Sequence, residues 1–169
     1  LTGNLPIPVV PIRYSNTLAG ALRPISEYQD LLFSAAPVGF PYSLSSYYGQ
    51  LSNGMLTISG TVLPWVAVSQ TDTYYEDGCN GIGAQATCGH PIPSNGISTR
   101  FAEMVLEALA KVSTGADSAS IWAAYDNDGP DGLPNSGDDD GTVDFVAFLQ
   151  PELDGACLTS NIWAHRYVV

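Results

Sequence analysis
The chain has 169 residues, 45% hydrophobic and only 13% charged, with a mean hydropathy of +0.08. These figures exclude a disordered, charge-solvated chain and predict one domain, residues 1–169, with its own apolar core. Seventeen acids against five bases give a net charge of −12 and a pI near 4.1, which argues against nucleic acid and anionic membrane as partners and points to cations, divalent metal first.

No apolar run approaches the roughly 20 residues of a membrane helix, so no membrane partner is expected. The chain begins at Leu1 without a basic-then-apolar leader, as expected of a processed form or a piece of something longer.

In chain order, Ile7 to Tyr14 is rich in Val and Ile and punctuated by Pro8 and Pro11. It predicts an opening strand at or near a sheet edge, where a missing donor is tolerated. Glu27, Tyr28, Leu31, Leu32 and Phe33 follow Pro24 at helical spacing and predict a short helix capped by Ser26. A second helix is predicted over Leu44–Leu51, with Leu44, Tyr47, Tyr48 and Leu51 on one face and Asn53-Gly54 as its stop. Met55 to Val68, interrupted by Gly60 and Pro64, predicts two consecutive strand segments.

Residues 69–96, with Gly, Asn, Pro, Cys79 and Cys88, predict a long loop. The two cysteines enclose a short Gly-rich segment and predict a local disulfide clamp, leaving Cys157 without a partner in the chain. This arrangement implies an oxidising, extracellular setting, the alternative being three buried, reduced thiols. Phe101, Val105, Leu106, Leu109 and Val112 define the best helix, with Ser98 or Thr99 as cap and Gly115 beyond its end. Val143–Leu149 is nearly continuous apolar sequence and predicts a central, doubly covered strand.

The strongest chemical signal is the acidic loop 126–144, where seven acids occur without a base. Calcium takes six to eight oxygen ligands from flexible loops, and acids at i and i+2 with Gly at the bends turn successive carboxylates toward one ion. Asp126, Asp128, Asp140 and Asp144 are the leading candidate ligands, Asp131 and Asp138 the next, with a backbone carbonyl from Thr142. Asp139 is expected to face solvent. The pattern is not an EF-hand, because Asp131 falls one place late and no Glu closes the loop; the competing reading is a solvated acidic loop.

His90 and His165 are the only histidines and have no second His or Cys at metal spacing, so no zinc motif is present. Neither a Gly-x-Ser-x-Gly nucleophile signature nor a phosphate-binding Gly-rich loop occurs. Trp163 and His165 are candidate cleft residues, although a packed, hydrogen-bonded His is the commoner state. Tyr47 and Tyr48, or Tyr74 and Tyr75, offer an aromatic sugar- or peptide-binding surface, against the commoner fate of burial.

Taken in order, several segments resemble the secreted zinc metallopeptidases of the immune inhibitor A family. They are Pro8 to Tyr14, Glu27 to Phe33, Ser46-Tyr47-Tyr48-Gly49-Gln50-Leu51-Ser52-Asn53-Gly54-Met55-Leu56, Gly60-Thr61-Val62 with Trp65, and Tyr74-Tyr75. The order continues in Tyr125-Asp126-Asn127-Asp128-Gly129, Asp140-Gly141-Thr142-Val143-Asp144 and Ile162-Trp163-Ala164-His165-Arg166. The resemblance implies an α/β, zincin-like N-terminal lobe: a twisted mixed sheet with packed helices and a calcium-binding loop. The family's catalytic helix carries His-Glu-x-x-His, which places two imidazoles on one zinc and a Glu beside the bound water. This sequence lacks that motif, so no catalytic residue carries over.

The expected function is part of a secreted, calcium-stabilised zinc endopeptidase acting on peptide or protein substrates. Zinc and its ligands would come from the remainder of the catalytic domain or a partner chain. The family's calcium tendency maps onto the acidic loop, in which residues 130–137 read as an insertion. The rival reading is a non-catalytic extracellular calcium-binding module for adhesion or assembly; a carbohydrate-binding surface built from the tyrosines is a third.

Overall fold
A computed structural model describes residues 2–81, 100–114, 118–126, 136–137, 140–152 and 161–164, with backbone only for 118–120. The chain divides into two compact units. The first comprises Leu1–Pro11, Arg23–Trp65 and Ser113–Leu149, the second Ile12–Leu22, Val66–Val112 and Gln150–Val169. Strands are β1 (Gly3–Arg13), β2 (Leu56–Val62), β3 (Val66–Ala67) and β4 (Ala147–Leu149). Helices are α1 (Ile25–Phe33), α2 (Leu44–Leu51), α3 (Asp72–Glu76), α4 (Arg100–Val112) and α5 (Ser118–Ala123), with a 3-10 turn at Ala19–Ala21. The described fold is therefore mixed α/β with an open sheet, and every described strand pairing is parallel.

In the first unit β1 is the centre of the sheet, not its edge. Val9 pairs with Val62 of β2 and also with Ala147 of β4, and Pro6 to Ile12 are all buried. The sequence reading fails here because it took proline as an edge marker, whereas each proline stands where the sheet needs no donor. Gly3 donates to the Met55 carbonyl (2.8 Å) and Val9 accepts from the Leu63 N–H (2.9 Å), so odd-numbered residues of β1 turn their backbone groups toward β2. Pro6 and Pro8 face the other way, on a flank where β4 pairing starts only at Val9. Pro11 falls in the interval between the Val62 and Val66 pairings. Correspondingly β4, predicted as the doubly covered strand over 143–149, has three half-buried residues, and β1 is its only partner among the described residues.

The outward-turned backbone of β2 is closed by side chains in place of another strand. Leu56 N–H donates to Ser52 Oγ (2.9 Å), and Ser45 Oγ donates to the Ile58 carbonyl. Gln29 donates from Nε2 to the Gly60 carbonyl (3.0 Å) and accepts at Oε1 from Val62 N–H (2.8 Å). An edge that would otherwise template further pairing is thereby satisfied. Ile7, Val9, Ile58 and Val62 form the buried core here, with Ile25, Tyr28, Leu32, Phe33 and Leu44 packed against it. Gly60 is required by this packing, since a Cβ there would run into the Ile7 carbonyl oxygen and the Phe33 ring.

The boundaries of α2 are as predicted. Ser43 caps it reciprocally with Ser46, and Asn53 and Gly54 take positive φ at its end. Its predicted apolar face divides: Leu44 packs on the core, but Tyr47, Tyr48 and Leu51 are exposed. Helix α1 begins at Ile25 with Pro24, not Ser26, at the N-cap position and no side-chain cap.

In the second unit Ile12 and Arg13 pair with Val66 and Ala67. Helix α4 buries Phe101, Ala102, Met104, Val105 and Ala108. Leu106, predicted on the apolar face, is exposed: it lies about 100° around the helix from Val105, outside the stripe that residues 101, 105 and 108 share. Within the predicted loop 69–96 lies α3, which the sequence reading missed. Thr71 Oγ1 accepts from Tyr74 N–H (3.2 Å) as its N-cap, and Asp77 closes it at φ 60°. The signal was present in Thr71-Asp72 ahead of Asp77-Gly78.

Candidate functional site
The acidic loop leaves α5 through a turn in which Tyr125 N–H donates to the Trp122 carbonyl (2.9 Å). Tyr125 and Asp126 are both buried, at 8% and 7% exposure, so the first predicted ligand is held inside the unit. Asp140 and Asp144 are exposed. Asp140 Oδ1 accepts from Thr142 N–H (2.8 Å) across Gly141, which takes φ +86°; the aspartate thus bonds its own backbone two residues on and folds this end of the loop. Asp128, Asp131 and Asp138 lie outside the described residues, as does Asp139.

In the second unit the hydroxyls of α3 are aimed at the carboxylates of α4. Tyr75 is fully buried and donates to Glu107 Oε2 (2.7 Å), while Tyr74 donates to Glu103 (3.2 Å). Glu107 also accepts from Ser69 N–H (2.8 Å), Ser69 Oγ (2.9 Å) and Lys111 Nζ (2.6 Å). Burial raises the Glu107 carboxyl, but the bonds from Lys111, Tyr75 and Ser69 outweigh it and hold the group below the usual range. Burial, then the bond to Glu107, pushes the Tyr75 phenol up to about 12. The Arg100 guanidinium lies 4.0 Å from the Tyr74 ring centroid and pairs with Glu103 at 3.2 Å. Tyr74 and Tyr75 are therefore the fastening of α3 onto α4. Sequence reasoning missed this lattice, although the i,i+4 pair Glu107–Lys111 and the i,i+3 pair Arg100–Glu103 were there to be read.

Glu76, last in α3, is buried, and its carboxyl is raised by burial and then by the charge of Asp72 one turn earlier. Tyr14 stands well above its ordinary value through burial, with Glu152 and Asp72 adding to it. The turn after α3 anchors the segment 161–164. Asn80 Nδ2 donates to the Asn161 carbonyl (2.7 Å), Trp163 N–H donates to the Asn80 carbonyl (3.0 Å), and Gly81 lies against Ile162. Trp163, a predicted cleft residue, is 45% exposed. His165, two residues further along, lies outside the described residues, as do His90, Cys88 and Cys157. Cys79 is half-buried, and its N–H donates to the Glu76 carbonyl (3.1 Å).

A catalytic zinc needs three protein donors converging on one point. Among the described residues no group of three or more His, Cys, Asp or Glu meets that condition, so these residues do not fit a zinc centre and no chemical step is derived through one. No described helix is long and apolar enough to cross a membrane.

Comparison with curated proteins finds no match. Comparison with protein-family models matches residues 23–169, from just before α1 onward, to the family described as immune inhibitor A peptidase M6, catalytic domain. Because the matched stretch covers most of the chain, the protein belongs to the immune inhibitor A peptidase M6 family.

Proposed function
We propose that this chain is the N-terminal, zincin-like lobe of a secreted, calcium-stabilised zinc endopeptidase, and that the zinc ligands are supplied by polypeptide other than these residues. The observation that carries the reading is the family match over 23–169: the family is one of metallopeptidases, generally zinc-dependent and typically extracellular. The sequence supplies two histidines, 90 and 165, and no His-Glu-x-x-His, which is why the metal-binding half is assigned elsewhere. The role of these residues is then to build one wall of a cleft for a peptide, with the exposed Trp163 as one of its residues.

Calcium in the loop 126–144 belongs to the same reading. Burial of Asp126 and the Asp140–Gly141–Thr142 turn support it by fixing two ends of a loop rich in carboxylates. A disulfide between Cys79 and Cys88 completes it, clamping the segment that follows α3.

The test is metal analysis and peptide cleavage on the purified chain, alone and with a polypeptide carrying His-Glu-x-x-His. The chain alone is expected to hold no stoichiometric zinc and to cleave nothing, and activity is expected only with the second half. Zinc and cleavage by the chain alone would overturn the division of labour; inactivity of the completed domain would favour the non-catalytic calcium module. For the calcium site, a thousandfold excess of ion over Kd should add roughly 4 kcal/mol of stability. Melting should therefore shift down by many degrees with chelator, and Asp126→Asn with Asp128→Asn should remove that dependence.

A further inference from the structure
We infer that the exposed face of α2 and its flanking turns is the contact by which two copies of this chain associate. Of the eleven large hydrophobic side chains exposed among the described residues, seven fall between residues 38 and 55. Tyr47, Tyr48 and Leu51 stand on α2, with Phe40 and Tyr42 before it and Met55 after it; Leu51 is 68% exposed. The helix is not loosely placed, since Ser43 caps it and Ser45 and Ser52 tie it to β2. The face is therefore rigidly presented to solvent, as an interface anchor must be.

Charge selects the occupant. Residues 31–71 contain no Asp, Glu, Lys, Arg or His, although the chain carries a net charge of −12. The acid just before this stretch, Asp30, is engaged by Val38 N–H (2.7 Å). A basic partner would find no carboxylate on this segment to recognise. A second copy brings a segment equally without charged side chains, so residues 31–71 set no like charges against each other, and salt screens the net charge of each copy. Area agrees. At roughly 150–250 Å² for an aromatic side chain, Phe40, Tyr42, Tyr47 and Tyr48, 37–57% exposed, expose on the order of 400 Å², and Val38, Leu51 and Met55 add to it, toward the ~800 Å² that one partner contributes to a standard-size interface. Aromatic enrichment with charge depletion is also the composition of interface cores. A two-fold contact, α2 against α2, uses the same patch on both copies and closes at the dimer.

The inference stands apart from the peptidase reading and is tested without activity. Sedimentation velocity on the chain across a hundredfold range of concentration around the micromolar should show a monomer–dimer equilibrium that strengthens with added salt. Leu51→Asp and Tyr47→Asp should each weaken association at least tenfold with an unchanged far-ultraviolet circular dichroism spectrum. Leu106→Asp, which charges an exposed leucine on α4, should leave it unchanged. A monomer throughout, a dimer indifferent to Leu51→Asp, loss on Leu106→Asp, open-ended aggregation, or dissociation by salt would each overturn the proposal.

Discussion
Around β2 the backbone is closed by neutral groups, the hydroxyls of Ser45 and Ser52 and the amide of Gln29, with no Asp, Glu, Lys, Arg or His among residues 31–71. Around α3 and α4 the fastening is ionisable: Tyr74 and Tyr75 on Glu103 and Glu107, with Arg100 and Lys111 beside them. Both arrangements satisfy groups that folding removes from water, but only the second does so with charges. Neutral bonds are indifferent to pH and salt, whereas a phenol bonded to a carboxylate is held only while the first keeps its proton and the second has lost it. Sensitivity to pH should therefore concentrate in the second unit.

The largest effect should come from Tyr75→Ala, which empties a fully buried aromatic site and strips Glu107 of a donor. Urea unfolding should register a loss of about 3–5 kcal/mol. A loss below about 1 kcal/mol would mean that α3 is not fastened as described.

In the neutral region, Gly60→Ala should cost about 1–3 kcal/mol by overpacking against Phe33 and the Ile7 carbonyl. Gln29→Ala should cost about 1–2 kcal/mol by leaving the Gly60 carbonyl and Val62 N–H unpaired. Both costs should be the same at pH 6 and pH 9; a pH-dependent cost would break the comparison.

Titration sharpens it. The Tyr75 phenol is raised from its ordinary value of 10.0 to about 12, so the folded state keeps a proton that the unfolded state releases. Its contribution is complete below pH 10 and is lost as pH rises toward 12. The unfolding midpoint should fall over that window, and Tyr75→Phe, at a cost of about 1 kcal/mol at neutral pH, should flatten the fall. On the acid side two carboxylates oppose each other. Glu107, held low, loses its contribution as pH falls through its folded value. Glu76, held high, gains as pH falls, because the penalty of its buried charge disappears. Glu76→Gln should therefore steepen the acid loss, and a shallower acid limb would contradict the assignment.

The smallest effect belongs to Arg23→Ala. Its pair with Glu27 is 3.5 Å long between side chains 69% and 53% exposed, and such pairs contribute about 0–1 kcal/mol. The midpoint should scarcely move, and less still in high salt.

Much of this was legible in the sequence where the signal is local. The α2 boundaries follow from apolar spacing and from Asn53-Gly54, residues that accept positive φ. The family follows from short motifs in fixed order; of the predicted ligands Asp126, Asp140 and Asp144 are placed, and Asp128, Asp131 and Asp138 lie outside the described residues. Less legible was α3, whose single turn gives no periodicity and rests on a cap at each end.

By itself, then, the sequence determined what depends on neighbours within one or two turns: the span of α2 and its Asn53-Gly54 stop, the charge balance and family membership. Tertiary structure alone decided what depends on residues far along the chain. Val9 lies at the centre of the sheet because Val62 and Ala147 come to either side of it, and the β1 prolines are tolerated because those partners leave their positions unpaired. Likewise Tyr75 is buried and Tyr47 exposed, although both belong to Tyr-Tyr pairs. The first finds Glu107 on a helix beyond it in sequence, while the second sits on a helix that reaches the core through Leu44 and β2 through Ser45. Strand order and side-chain burial are properties of pairings between distant segments, and no local pattern encodes which distant segment arrives.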